Sequence, residues 1–390
     1  MLNHSESLCL LVKTNLEMIE IKEVTTKSEL SKFVKFPDTL YVGNKYRVTP
    51  IHYFEKEILN RKKNPAFDYC EAKYWLAFKE GKIVGRIAAI INNKFVEIWG
   101  EKNGRFGWFD FIDDKEVSKA LLDTAENWVK SKGMSAIQGP LGFTDMDMEG
   151  MLVEGFNEVG TMAVLYNQPY YLTHMANNGY TKDADWVQKE IKVPSEVTDN
   201  LERMSQIICK KYNVRPLKVK TAKELLPYAK SMFDTLNVAF KDLYGFVPLT
   251  DKQIAQYTKD YFSFIIPEFV CFVLNEKDEV VGFGVSMPSL SQALIKANGN
   301  LIPRGLYHIY KALKNYTIID MYLNGVRPDY QGKGIHSIYY TELMKAYIKN
   351  GIKTAVTNPQ LETNTRALLL WDNYEQREHL RHRSFIKHLS

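Results

Sequence analysis

The chain repeats its own pattern at long range. Asp38-Thr39-Leu40-Tyr41-Val42 returns as Asp234-Thr235-Leu236-Asn237-Val238, 196 positions later, and Pro50 and Gly85 return as Pro248 and Gly282 in nearly the same register. Such a spacing, close to half of the 390 residues, requires two copies of one folding unit rather than one oversized core.

The local grammar repeats with it. A hairpin through Glu80-Gly81-Lys82 in the first half is matched by one through 275–279 in the second. Val117, Leu121, Ala125, Trp128 and Val129 then mark one apolar helix face ending at Gly133, and Ile338, Tyr339, Leu343, Tyr347 and Ile348 mark another ending at Gly351. Short strands follow at 136–138 and 353–356, each before a proline, Pro140 or Pro359. The expectation is an α/β fold of two tandem domains, each a central mixed β-sheet flanked by helices. A tail covers 1–17, the first domain 18–193 and the second 194–390, with the boundary near Pro194. A helix-rich insert at 289–316 lengthens the second half alone and is expected to cover a substrate entrance.

Composition narrows the partners. With 51 basic residues against 46 acidic ones the net charge is only +5, so no nucleic-acid partner is expected, while mild basicity suits an anionic cofactor. No run approaches 18 apolar residues, so no membrane partner is expected either. Cys9, Cys70, Cys209 and Cys271 lie far apart without metal-ligand spacing, which predicts no metal site, no disulfide framework and a reducing cytoplasm.

The segment most directly tied to chemistry is a strand at 317–326 running into Arg327-Pro328-Asp329-Tyr330-Gln331-Gly332-Lys333-Gly334-Ile335-His336, after which the amphipathic helix begins. Glycines let backbone N–H groups approach oxygens closely, and a helix N-terminus adds about half a positive charge, so this junction is built for an anion. Here the sequence resembles the Gcn5-related N-acetyltransferase (GNAT) superfamily, whose Gln/Arg-x-x-Gly-x-Gly/Ala signature lies at such a junction. Gln331, Gly334 and the preceding Val326-x-Pro328 stand at the family's positions, with His336 where Gly or Ala is usual. The resemblance implies that Gln331, Gly332, Lys333, Gly334, Ile335 and His336 bind the pyrophosphate of acetyl-coenzyme A. The pantetheine arm is then expected beside Val326, with Asn358 and Asn364 as further landmarks.

The same resemblance implies transfer of an acyl group from acetyl-coenzyme A to an amine, on a small-molecule or peptide acceptor. Many relatives carry a thiolate-protonating tyrosine seven residues after the position of Asn364; here that position is Trp371, which cannot act as an acid and is read as core, and Tyr374, three residues on and on nearly the same face of a helix, is the nearby candidate. Strand alternation places Asp320, Tyr322 and Asn324 on one face, making Asp320 the candidate base. In the first half the corresponding junction holds Asp110, Asp113, Asp114 and Glu116, which repel a pyrophosphate, so cofactor binding is expected in the second half only. Two other readings stay open: a non-catalytic acyl-coenzyme A-binding or structural tandem protein, and a tRNA-dependent aminoacyl transferase, which also pairs two such domains.

Overall fold

The structure, a computed structural model, describes residues 18–262 and 265–389; the expected tail and Cys9 lie outside them. The first half supplies strands β1 (Glu20–Glu23), β2 (Cys70–Lys79), β3 (Lys82–Asn92), β4 (Asn103–Phe111), β5 (Ala136–Gly139), β6 (Met151–Glu154) and β7 (Thr181–Lys192). The second supplies β8 (Arg215–Pro216), β9 (Val270–Leu274), β10 (Val280–Pro288), β11 (Ile318–Val326), β12 (Thr354–Thr357), β13 (Gln360–Leu361) and β14 (Gln376–His388).

They form one continuous 14-stranded sheet, because the halves exchange strands. β14, the last strand of the chain, runs antiparallel between β5 and β7 of the first half, while β7 also pairs with β12 of the second. Read along the sheet, β5-β14-β7-β12 alternates between halves, so neither half completes its sheet without the other.

Duplication is visible in atomic detail. β4 and β5 run parallel from Asn103 opposite Ala136 to Arg105 opposite Gln138, and then separate; β11 and β12 do the same from Ile318 opposite Thr354 to Met321 opposite Thr357. At each fork one bond marks the last contact: Leu141 N–H to Phe106 O at 2.8 Å, and Asn358 N–H to Met321 O at 2.9 Å.

The matched glycines have one physical role. Helix α1 (Lys115–Ser131) crosses β3 at Gly85, where an added Cβ meets Leu121 Cδ1 at 2.6 Å; helix α3 (Ile335–Lys349) crosses β10 at Gly282, where it meets Ile335 Cγ2 at 2.6 Å. Only a missing side chain lets helix and sheet approach that closely. Gly282→Val is therefore expected to destabilise the fold by about 1–3 kcal/mol through overpacking, read as a lower denaturation midpoint. An unchanged midpoint sinks this account.

One sequence-based expectation fails in β11. Tyr322 is an extra residue, bulged between the pairs Ser286 with Met321 and Val285 with Leu323, so alternation breaks there. Ile319 and Met321 join the core under α3, whereas Leu323 joins the core on the opposite face. Asp320 and Tyr322 share a side, and Asn324 is no longer in phase with them.

Candidate active site

The junction after β11 keeps its backbone donors free. Gly332 and Gly334 have φ of +74° and +78°, and Gly334 takes the N-cap position of α3 without a capping side chain. Among the described residues no protein acceptor takes the N–H of Gly332, Gly334, Ile335 or His336; Lys333 N–H makes one long bond of 3.3 Å to Tyr330 O. Gln331 donates its side-chain amide to Val326 O at 3.1 Å, fastening the loop to the strand end. Lys333 Nζ stands over the Tyr330 and Tyr212 rings, and burial lowers the His336 pKa, favouring the neutral ring.

The equivalent junction in the first half closes on itself. Asp114 caps α1, accepting the N–H of Glu116 at 2.9 Å and of Val117 at 3.4 Å, and Lys79 pairs with the same carboxylate at 2.8 Å. A carboxylate of the chain already occupies the position where a phosphate oxygen is expected.

Gly334 is not an independent loop position. An added Cβ meets Ile208 Cδ1 at 2.6 Å, because helix α2 (Asp199–Tyr212) packs across the junction; Gly332 has nothing within 4 Å. A bulky residue at 334 therefore disturbs packing as well as phosphate approach, and Gly332 is the cleaner position to substitute.

Beyond the fork of β11 and β12 lies a cavity of about 750 Å³, walled by both halves. Tyr322, Leu323, Asn324, Thr357, Asn358 and Asn364 line it from the second half. Among the described residues β11 pairs with β12 no further than Met321, and the slot opens where the two strands part. Asn364 also caps the helix Thr365–Leu369, accepting Ala367 N–H at 3.3 Å. The phosphate junction itself lies outside the cavity, at the protein surface, with Gln331 and Gly332 exposed.

Asp320 sits just behind the cavity wall and is 1% exposed. Its Oδ2 accepts the Tyr322 hydroxyl at 3.1 Å, and Oδ1 has no partner. Burial pushes its pKa up to about 7, only partly opposed by the neighbouring Ser289 and Tyr322 hydroxyls.

The helix carrying Asn364 ends at Leu369, so Trp371 and Tyr374 do not share a helical face as the sequence spacing suggested. Tyr374 is half-buried beside Trp371, ring centroids 6.2 Å apart, and does not line the cavity. Trp371 does line it, is 2% exposed, and its indole N–H has no protein partner. A buried donor left unpaired at a cavity wall is suited to a ligand acceptor. Sequence reasoning took this residue for core, and only its place seven residues after Asn364 hinted otherwise.

From the first half, Asp145, Asp147 and Glu149 face the same cavity. Asp147 accepts the N–H of Phe143 and Thr144, shaping the turn, and Asp145 accepts Val247 N–H at 3.1 Å across the junction of the halves. Desolvation raises all three pKa values, that of Asp147 to about 6, against the field of the buried Arg105. Nothing in the isolated sequence marked Glu55 or Arg86, which line this chamber too, bonded to Trp108 and Asp110.

The basic side chains along β14 are structural. Arg383 forks Asp185 at 2.7 and 2.9 Å, Arg377 binds Glu158 and Glu190, and Lys387 binds Glu126, all ties across the exchanged strand. Among the described residues no group of His, Cys, Asp or Glu could hold a metal ion, and no helix is long and apolar enough to cross a membrane.

No protein-family model matches the chain. Among curated proteins it is 29% identical over 355 residues to Protein YghO of Escherichia coli (strain K12), covering 88% of this chain and 89% of that one. It is 27% identical over 300 residues to a bacterial ceramide synthase of Caulobacter vibrioides, covering 76% and 77%. Among solved structures, a tandem GNAT protein from the clavulanic acid biosynthesis pathway superposes with a TM-score of 0.53 at 9% identity, over 95% of this chain and 98% of that one. A GCN5-related glucosamine N-acetyltransferase region of a fungal multidomain protein gives 0.54 at 13% identity, over 95% of this chain and 38% of that one. At those identities the likeness is one of fold: the chain has the tandem GNAT fold.

Proposed function

We propose that this protein is an acyl-coenzyme A-dependent N-acyltransferase whose acceptor is an amine with a long apolar portion. The observation that carries the reading is the contrast between the two duplicated junctions. One has its helix N–H groups capped by Asp114; the other leaves them free beside a forked strand pair that opens into a large cavity. Diphosphate oxygens would take the N–H groups of Gly332 to His336, and the pantetheine arm would run through the slot where β11 and β12 part, past Val326 toward Asn358.

Asp320, with a pKa of about 7, is poised to accept a proton relayed through the Tyr322 hydroxyl, which does line the cavity. The freed amine nitrogen then forms the bond to the thioester carbonyl carbon and the carbon–sulfur bond breaks. Tyr374 supplies no wall of the cavity, so this reading gives the departing thiolate to the indole N–H of Trp371. A thiol with a pKa of about 8.5 can leave as the anion and be protonated by solvent.

The cavity walls support the acceptor class. Leu236, Phe240, Leu243, Phe246, Leu290, Leu294, Ile309 and Leu313 make most of its surface apolar, and its volume lies in the range of about 300–1,000 Å³ typical of ligand sites. The relative named as a ceramide synthase makes, by its name, an amide of a long-chain amine, which fits such a chamber.

Calorimetric titration with acetyl- and longer acyl-coenzyme A tests the donor, and thiol release with amines of graded chain length tests the acceptor. Gly332→Val is expected to weaken coenzyme binding about tenfold or more and to cost about 1–2 kcal/mol of stability, because its side chain enters open space but the φ of +74° strains any residue with a Cβ. Unaltered affinity removes the junction from the site. Trp371→Phe keeps the ring and deletes the donor, and is expected to lower kcat by roughly tenfold or more, leaving coenzyme affinity in place.

A further inference from the structure

The insert between β10 and β11 has two apolar faces, and the protein covers only one. Leu301, Ile309 and Leu313 point inward, packing with Leu290, Leu294 and Ile51. On the outer side Ile302 is 74% exposed, Tyr307 63% and Tyr310 61%, with Leu306 half exposed. An apolar patch left uncovered on a surface marks an interaction site, and this one has a core on its inner side only. Tyr53 and Phe54 extend the patch from the neighbouring helix His52–Ile58, which is tied to the insert by His52 N–H to Gly299 O at 3.0 Å.

Charge selects the occupant. Residues 289–316 contain no Asp or Glu, and Lys296, Arg304, Lys311 and Lys314 are all exposed around the apolar patch. A second copy of the chain docked face to face through a two-fold axis would set these cations against their own images. An anionic lipid surface instead takes the aliphatic tips and tyrosine rings at its boundary and the cations at its headgroups. Leu306 and Phe54 are both half exposed and both line the cavity, so the patch is continuous with the chamber's rim.

We infer that this insert docks the protein on the surface of an anionic phospholipid bilayer, without spanning it, and holds the cavity mouth against the lipid. Composition gave no reason to expect a membrane partner, because the signal is a surface arrangement and not a long apolar run. The docking does not depend on acyl transfer; only its use, loading a lipid amine into the chamber, rests on the function proposed above.

The test is sedimentation of the full chain with phosphatidylcholine vesicles, alone or mixed with phosphatidylglycerol, with no coenzyme present. Binding is expected to the mixed vesicles at low salt and to fall steeply toward roughly 1 M salt. The triple variant Arg304→Gln, Lys311→Gln, Lys314→Gln is expected to bind roughly a hundredfold more weakly at low salt, from three lost headgroup attractions. Ile302→Ser with Tyr307→Ser and Tyr310→Ser is expected to cost about tenfold or more. All six side chains are exposed, and circular dichroism melts would check that both variants fold as the parent does. The inference is overturned if mixed vesicles do not retain the parent chain. It is equally overturned if the variants bind as the parent does, or if light scattering finds a dimer that the apolar variant dissolves. Thiol release with a long-chain amine in neutral detergent micelles, with no vesicles present, separates failure here from failure of the acyltransferase reading.

Discussion

Asp320→Asn is expected to melt at a higher temperature than the parent at pH 8, at nearly the same temperature at pH 3, and to have lost most turnover. The carboxyl is buried with one oxygen unpartnered, and its pKa rises from an ordinary 3.8 to about 7. A group whose pKa is raised on folding stabilises the fold fully below the unfolded value and loses that contribution as pH rises through the folded value. The parent therefore loses stability between about pH 4 and pH 7, while an asparagine, which never ionises, does not. A rise from 3.8 to about 7 corresponds to at most roughly 4 kcal/mol once the carboxyl is fully ionised. Removing a general base costs about 100- to 10,000-fold in rate. Opposite signs for stability and activity distinguish a functional carboxylate from a structural one. If the melting temperatures of the two proteins run parallel from pH 4 to pH 8, Asp320 is not a strained acid. If turnover survives, it is not the base.

The second large effect concerns the sheet. Expressed alone, residues 18–193 are expected to be insoluble or unfolded, and likewise 194–390, while the two co-expressed are expected to assemble and purify together. Without β14, β5 and β7 face each other across a missing strand, and without β7, β12 loses its partner on that side. Open edges of that kind pair with other chains. Asp185, 1% exposed in the whole chain, loses the Arg381 and Arg383 guanidinium groups and keeps only Lys182. Removing partners from a buried charge costs up to about 3–5 kcal/mol, a large share of the stability of an ordinary domain. Either half folding alone as a soluble monomer refutes strand exchange as a necessity.

The architecture was readable where residue type forces geometry. Gly85 and Gly282 reported the close helix crossings, and the pattern around 117–132 and 337–350 reported the helices laid over them. The junction at Gln331 to His336 was readable because positive φ at Gly332 and Gly334 is a local property of glycine. Repulsion by Asp114 was likewise expected, though its actual means, a carboxylate capping its own helix, is more specific than charge alone.

Phase along β11 was not readable. A bulge at Tyr322 depends on the neighbouring strand, so alternation counted along one segment put Asn324 on the wrong face. The relation of Trp371 to Tyr374 failed similarly, since where the helix Thr365–Leu369 stops is decided by packing rather than by spacing.

By itself the sequence determined the duplication, the layered α/β class and which of two matching junctions presents bare helix amides, because those follow from local conformational rules and periodic burial. Tertiary structure alone decided that the halves interlock through β7 and β14, that Asp320 is desolvated behind Tyr322, and that Trp371 opens onto a chamber built from both halves. These are relations between residues far apart along the chain, and hydrogen-bond partners, dielectric surroundings and cavity walls exist only once distant segments are brought together.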